Sequence, residues 1–83
     1  MKKENSVLIK INDWETLKNF ASVVSKIESD VNIYHGSGYY DAKSILAIIA
    51  LNMDKPRYVE IISNDESEIN SFKEQMKVFT VEV

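Results

Sequence analysis

An α+β open-faced sandwich, an antiparallel four-stranded sheet covered on one face by helices, is the fold class that the sequence predicts. Three observations point to it. Short β-branched runs recur, stretches of helical spacing with marked N-termini separate them, and the resulting order reads β-α-β-β-α-β-α. At 83 residues the chain is sized for a single core, so residues 1–83 are expected to form one domain.

The first strand is Val7-Leu8-Ile9-Lys10-Ile11, an apolar β-branched run closed by Asn12-Asp13. From Trp14 the period changes: Leu17, Phe20, Ala21, Val24 and Ile27 share one face of a helix expected to run to about Glu28. Asn12 or Asp13 can cap it, and the Asn12 to Glu15 spacing resembles a capping box, which places acidic side chains at the positive end of the helix dipole. Val31 and Ile33, alternating with Asn32 and Tyr34, predict a second strand. Gly36-Ser37-Gly38 supplies a turn with two residues free to adopt positive φ, and Tyr39-Tyr40 begins the returning strand.

The run Ile45-Leu46-Ala47-Ile48-Ile49-Ala50-Leu51 fits strand or helix by period alone. Ser44 as N-cap and the alanine content favour a short buried helix. Pro56 ends the following loop and Arg57 to Ile62 reads as another strand. Asn64-Asp65-Glu66 then leads into a helix carrying Ile69, Phe72 and Met76, with acids early and Lys73 and Lys77 late, as the dipole prefers. The tail Val78 to Val83 alternates like a strand, although the preceding helix can run into part of it.

Composition removes several classes of function. Ten Lys plus Arg against 13 Asp plus Glu give a net charge of −3, so the phosphate attraction that dominates nucleic-acid binding has no obvious source. The absence of cysteine excludes disulfides, thiolate metal sites and thiol nucleophiles, and a single histidine, His35, excludes a histidine-rich metal site. No cofactor is implied. The longest apolar run, Ile45 to Leu51, falls far short of the roughly 20 residues that span a bilayer, and the start of the chain does not read as a signal peptide. The expected location is the cytoplasm, with no membrane partner.

Two stretches carry a family resemblance: Lys26-Ile27-Glu28-Ser29-Asp30-Val31 and Lys43-Ser44-Ile45-Leu46-Ala47-Ile48-Ile49-Ala50-Leu51. Together they resemble the phosphocarrier protein HPr of the bacterial sugar phosphotransferase system, in which the second stretch reads Lys-Ser-Ile-Met-Gly-Val-Met-Ser-Leu. The spacing between them needs no gap, and the resemblance extends over nearly the whole chain, with a shortened connection before the last helix. It implies the HPr-like open-faced sandwich and a protein that works through protein partners and is not an enzyme.

The family's other signature, Gly-Ile-His-Ala-Arg-Pro-Ala at the start of the first helix, carries the phosphoryl group on its histidine. In the ungapped register Ile11-Asn12-Asp13-Trp14-Glu15-Thr16-Leu17 lies across that motif, with Asp13 where the histidine would be and Glu15 where the arginine would be. A phosphohistidine site needs a neutral imidazole nucleophile, helix N-terminal amides and a cation to hold the incoming phosphate. Two carboxylates repel that anion and compete for the same amides. They read more simply as helix-capping acids, since an acyl phosphate on Asp13 requires a metal held by companion carboxylates. His35 reads as a surface histidine at a strand end beside a turn, away from the helix start; a phosphoryl role is the alternative.

Ser44 matches the serine that, in Gram-positive members of the family, a dedicated ATP-dependent kinase phosphorylates to control carbon-catabolite gene expression. The resemblance therefore makes Ser44 a candidate regulatory phosphorylation site, with an HPr kinase and a catabolite-control transcription regulator as implied partners. The plain alternative is that Ser44 is only an N-cap. Ile45, Leu46 and Ile49 match an exposed apolar patch that docks partners in the family, whereas periodicity alone favours burial of most of them. Ala47 replaces the family's glycine. Trp14 is either part of the same surface or a hydrophobic cap. Loss of the histidine with retention of the serine is similar to the catabolite-repression HPr-like proteins; a docking or oligomerising scaffold without phosphorylation is the other expectation.

Overall fold

Side-chain alternation in the strands determines the architecture. The computed structural model describes residues 1–51, 53 and 55–81. Its strands are β1 (Ser6–Ile9), β2 (Asp30–His35), β3 (Gly38–Asp41) and β4 (Arg57–Ile62), and its helices are α1 (Trp14–Ser25), α2 (Ile45–Ala50) and α3 (Glu66–Met76). The strands form one sheet in the order β1-β4-β2-β3, antiparallel throughout. This is the βαββαβα open-faced sandwich that the sequence predicts.

The register of the central pair sets Val31 opposite Ile61 and Ile33 opposite Val59, and all four are fully buried. Because successive strand residues point to opposite faces, Tyr34, Tyr58, Glu60 and Ile62 lie on the other, open face. Onto the buried face α1 delivers Leu17, Phe20 and Val24, while α3 delivers Phe72 and Met76. Phe20 meets Phe79 edge to face with ring centroids 5.5 Å apart, the arrangement that the ring quadrupoles prefer.

Local hydrogen bonds explain where the elements differ from expectation. The first strand ends at Ile9 rather than Ile11, because the Lys10 and Ile11 amides turn to the carbonyls of Phe79 (3.1 Å) and Met53 (2.9 Å). Helix α1 ends at Ser25 rather than near Glu28: the Lys26 and Ile27 amides take the carbonyls three residues back, at 3.2 and 3.1 Å, tightening the last turn and burying Ile27 beyond the helix. Of the two turn glycines only Gly36 uses positive φ, at 58°. Helix α3 starts on Asp65, whose carboxylate accepts the Ser67 and Glu68 amides at 2.9 and 3.4 Å. The tail combines both expected forms: a 3-10 turn over Lys77–Phe79 follows α3, then Thr80 bridges to Ile9 and the Val81 amide donates to the Leu8 carbonyl at 3.0 Å. The remainder of the expected tail strand, residues 82 and 83, lies outside the described residues.

Phe20 is fully buried and central to this one-sided core. Phe20→Ala is expected to cost about 3–5 kcal/mol, the usual range for a large-to-small change that leaves a cavity, measured as a fall in the urea midpoint with little change in slope.

Candidate functional site

The start of α1 and the exposed side of α2 form the site. Asp13 is the N-cap of α1: its backbone is extended and its Oδ1 accepts the Thr16 amide at 2.8 Å. That hydrogen bond, followed by one from the Thr16 side chain, holds the exposed Asp13 carboxyl below its ordinary pKa. Glu15 does not complete a capping box with Asn12. It turns outward and pairs with Lys18 at 3.3 Å on the solvent side, an exposed i,i+3 contact of little energetic weight. The start of α1 thus carries an anionic cap, with a second carboxylate two residues on.

Helix α2 is reached through a tight turn in which Asp41 organises the chain. Its Oδ1 accepts the Lys43 amide at 2.9 Å and its carbonyl the Ser44 amide at 3.1 Å. Ser44 is then the N-cap, its Oγ accepting the Ala47 amide over a long 3.4 Å and its carbonyl accepting the Ile48 amide at 3.1 Å. Lys43 reaches back to the Glu28 carbonyl with its Nζ at 3.4 Å.

The expectation of a short buried helix here is corrected. Only Ile48 in α2 and Leu51 just after it are buried, whereas Ile45, Leu46 and Ile49 are 42%, 77% and 50% exposed. A helix of barely two turns laid on a sheet can present one stripe to the core, and residues 48 and 51 take that stripe. The other three isoleucine and leucine side chains form an apolar surface.

Ile49 also lines a groove of about 380 Å³ with Asp13, Trp14, Leu17, Ile48 and Met53, so the tertiary structure joins the α1 start to the far end of α2. Trp14 is 58% exposed and belongs to this surface rather than acting as a buried cap. Ile11, expected as the end of the first strand, lines the groove from the turn before α1, and Met53 completes it from a segment that carries no motif, which is why sequence reasoning missed Met53.

His35 lies elsewhere, at the β2 end opposite Gly38. Its Nδ1 is 2.7 Å from Arg57 Nη1, while Arg57 Nη2 donates to the Leu51 carbonyl at 2.8 Å. It is the exposed strand-end histidine that the sequence predicts, and it does not line the groove at the α1 start. Among the described residues, no three side chains of metal-ligating type gather into a group, and no helix is long and apolar enough to cross a membrane.

An antiparallel β1-β4-β2-β3 sheet with three helices on one face, and a capped α1 beside a short apolar α2, defines the class of HPr-like open-faced sandwiches. The family model described as "PTS HPr component phosphorylation site" matches residues 17–80, and the chain therefore belongs to the HPr family of phosphotransferase-system phosphocarriers. The matched span contains Ser44 and α2 but begins at Leu17, so residues 11–16 fall outside it. Among solved structures, HPr-C-His from Thermoanaerobacter tengcongensis is similar in fold, with a TM-score of 0.67 and 22% identity over 92% of this chain and 90% of that chain. Comparison with curated proteins finds no match.

The Asp13 cap yields a pH prediction with a definite sign. The folded-state pKa is lowered, so the contribution of the cap is present above the ordinary carboxylate pKa and is lost as pH falls through the lowered folded value. Thermal midpoints of the wild type and Asp13→Ala are expected to differ at neutral pH and to converge in acid.

Proposed function

We propose that this HPr-family chain is a regulatory, partner-binding protein of the bacterial cytoplasm, that it does not relay phosphate through a histidine, and that phosphorylation of Ser44 switches its interactions. The observation that carries the reading is the Asp13 carboxylate on the α1 amide of Thr16 at 2.8 Å, where the family places its phosphoryl-accepting imidazole. Like charges repel, and between exposed groups solvent and salt weaken that repulsion without reversing its sign. Asp13 and Glu15 thus oppose an incoming phosphoryl anion that a histidine and an arginine would receive.

The retained serine supports the regulatory half of the reading. Ser44 stands at the α2 N-cap, flanked by Lys43 and next to Ile45. A phosphate there adds a charge of about −1.5 to −2 beside an exposed apolar surface, which changes the partner that Ile45, Leu46 and Ile49 can accept. An HPr kinase and a catabolite-control transcription regulator are the partners this reading names. The net charge of −3 accords with protein rather than nucleic-acid partners. No cofactor or metal enters the proposal.

Two mass measurements test it. Incubated with ATP and an HPr kinase, the protein is expected to gain one phosphate and Ser44→Ala none; no gain under conditions that modify an ordinary HPr would leave an unphosphorylated docking or oligomerising scaffold as the function. Incubated with phosphoenolpyruvate and the general phosphotransferase enzyme, the wild type is expected to acquire no acid-labile phosphate, and acquisition of one would overturn the loss of relay. The double variant Asp13→His with Glu15→Arg is expected to gain such labelling if the scaffold still supports transfer.

A further inference from the structure

We propose that the segment Lys2–Asn5 is a strap, held closed across the end of β4 on the open face of the sheet by the Glu60 carboxylate. Glu60 is only 4% exposed, although Tyr58 and Ile62, its neighbours on the same face of β4, are 44% and 46% exposed. Something specific covers it. Its Oε2 accepts the Lys2 backbone amide at 2.7 Å, and its Oε1 accepts the Tyr34 hydroxyl. The strap is pinned again at Asn5, 3% exposed, whose Nδ2 donates to the Ile61 and Ser63 carbonyls at 3.0 Å each. Lys2 Nζ adds a long 3.5 Å contact to Asn64, and the turn closes on itself through the Asn5 amide and Ser6 hydroxyl, both donating to the Lys2 carbonyl.

These attachments are polar. Met1 is 59% exposed and residues 2–4 are exposed, so the strap contributes no side chain to the apolar core. Detaching it breaks a few hydrogen bonds and leaves the packing of β2 and β4 intact, which is the condition for opening at a free energy below that of global unfolding. Between strap and strand lies a cleft of about 220 Å³ lined by Lys2, Asn5, Glu60 and the end of β4. Opening dismantles the cleft and presents the Glu60 carboxylate and the Tyr34 hydroxyl to water.

Glu60 is suited to be the latch because a carboxylate accepts at both oxygens. A glutamine of the same shape offers one acceptor oxygen for the Lys2 amide and an NH2 that can only donate to the Tyr34 hydroxyl, so both ties lose the charge that strengthens them. The carboxylate also acts on its other partner: accepting the Tyr34 hydroxyl, it pushes that phenol up to about 12, with partial burial and the Glu60 charge adding to the effect. Ser6 and Asn32 flank Glu60 across the sheet. The helices lie on the opposite face, so the strap stands apart from the α1–α2 groove.

The test is amide hydrogen exchange of the full chain at Lys2 and Asn5, with Val31 and Ile61 as core references. In the wild type the strap amides are expected to exchange faster than the core amides, and Glu60→Gln is expected to accelerate the strap about tenfold or more while the core rates stay together. Trypsin cleavage after Lys2 and Lys3 should accelerate in parallel. Strap amides exchanging at the core rate in the wild type, or strap and core accelerating by one common factor in Glu60→Gln, would overturn the proposal. If Glu60→Gln does not fold, Tyr34→Phe provides the same comparison, with a smaller acceleration confined to the strap expected.

Discussion

Burial of a single face of the sheet is the constraint on which the rest of the structure depends. Val31, Ile33, Val59 and Ile61 come from the two central strands, lie in register as opposed pairs and are fully removed from water. At about 1.5–3 kcal/mol for each fully buried side chain, these four outweigh any surface contact in the molecule. A one-residue slip between β2 and β4 would turn both of one strand's residues onto the open face. The register is therefore strongly specified, and the helices must supply Phe20, Val24, Ile48, Phe72 and Met76 to complete the core from one side.

The site follows from that placement. Helix α2 covers part of the sheet with one stripe, so Ile48 and Leu51 go inward and Ile45, Leu46 and Ile49 are left in water. Exposed apolar side chains grouped in this way are characteristic of surfaces that meet other proteins. The packing of α1 against the same face brings its capped start, with Asp13 and Trp14, to the groove that Ile49 lines. Charge and apolar area thus lie side by side, and in the proposed reading phosphorylation of Ser44 alters their balance.

The opposite face obeys different rules. With no layer over it, burial there is achieved by hydrogen bonding rather than by packing, and Glu60 is the residue so treated, satisfied by a backbone amide and a phenol. On the helix side, the unburied Glu68, near the start of α3, accepts from Ser29 and is held below its ordinary pKa chiefly by that hydroxyl and by the Ser63 side chain. Such ties connect segments distant in sequence without enlarging the core.

Much of this was legible in the residue order. Strand β4 carries the Arg57 to Ile62 limits expected from Pro56 and the β-branched run, and the Leu17, Phe20, Val24 spacing named the inward face of α1, because both signals are local and periodic. The Lys26 to Val31 and Lys43 to Leu51 stretches carried the family resemblance, and the cap of α1 was narrowed to Asn12 or Asp13, of which the structure uses Asp13. Period alone favoured burial of most α2 residues, and that expectation failed because a six-residue helix of wholly apolar side chains has no polar face to mark the outside; packing against the core decided it. The same holds for the joining of Trp14 to Ile49 and for the burial of Glu60, whose partners Lys2 and Tyr34 stand 58 and 26 residues away. The sequence by itself determined most of the elements and their order, because these depend on neighbours within a turn or a strand. Tertiary structure alone decided which apolar groups stay exposed and which charge is buried, because both depend on contacts between segments that only folding brings together.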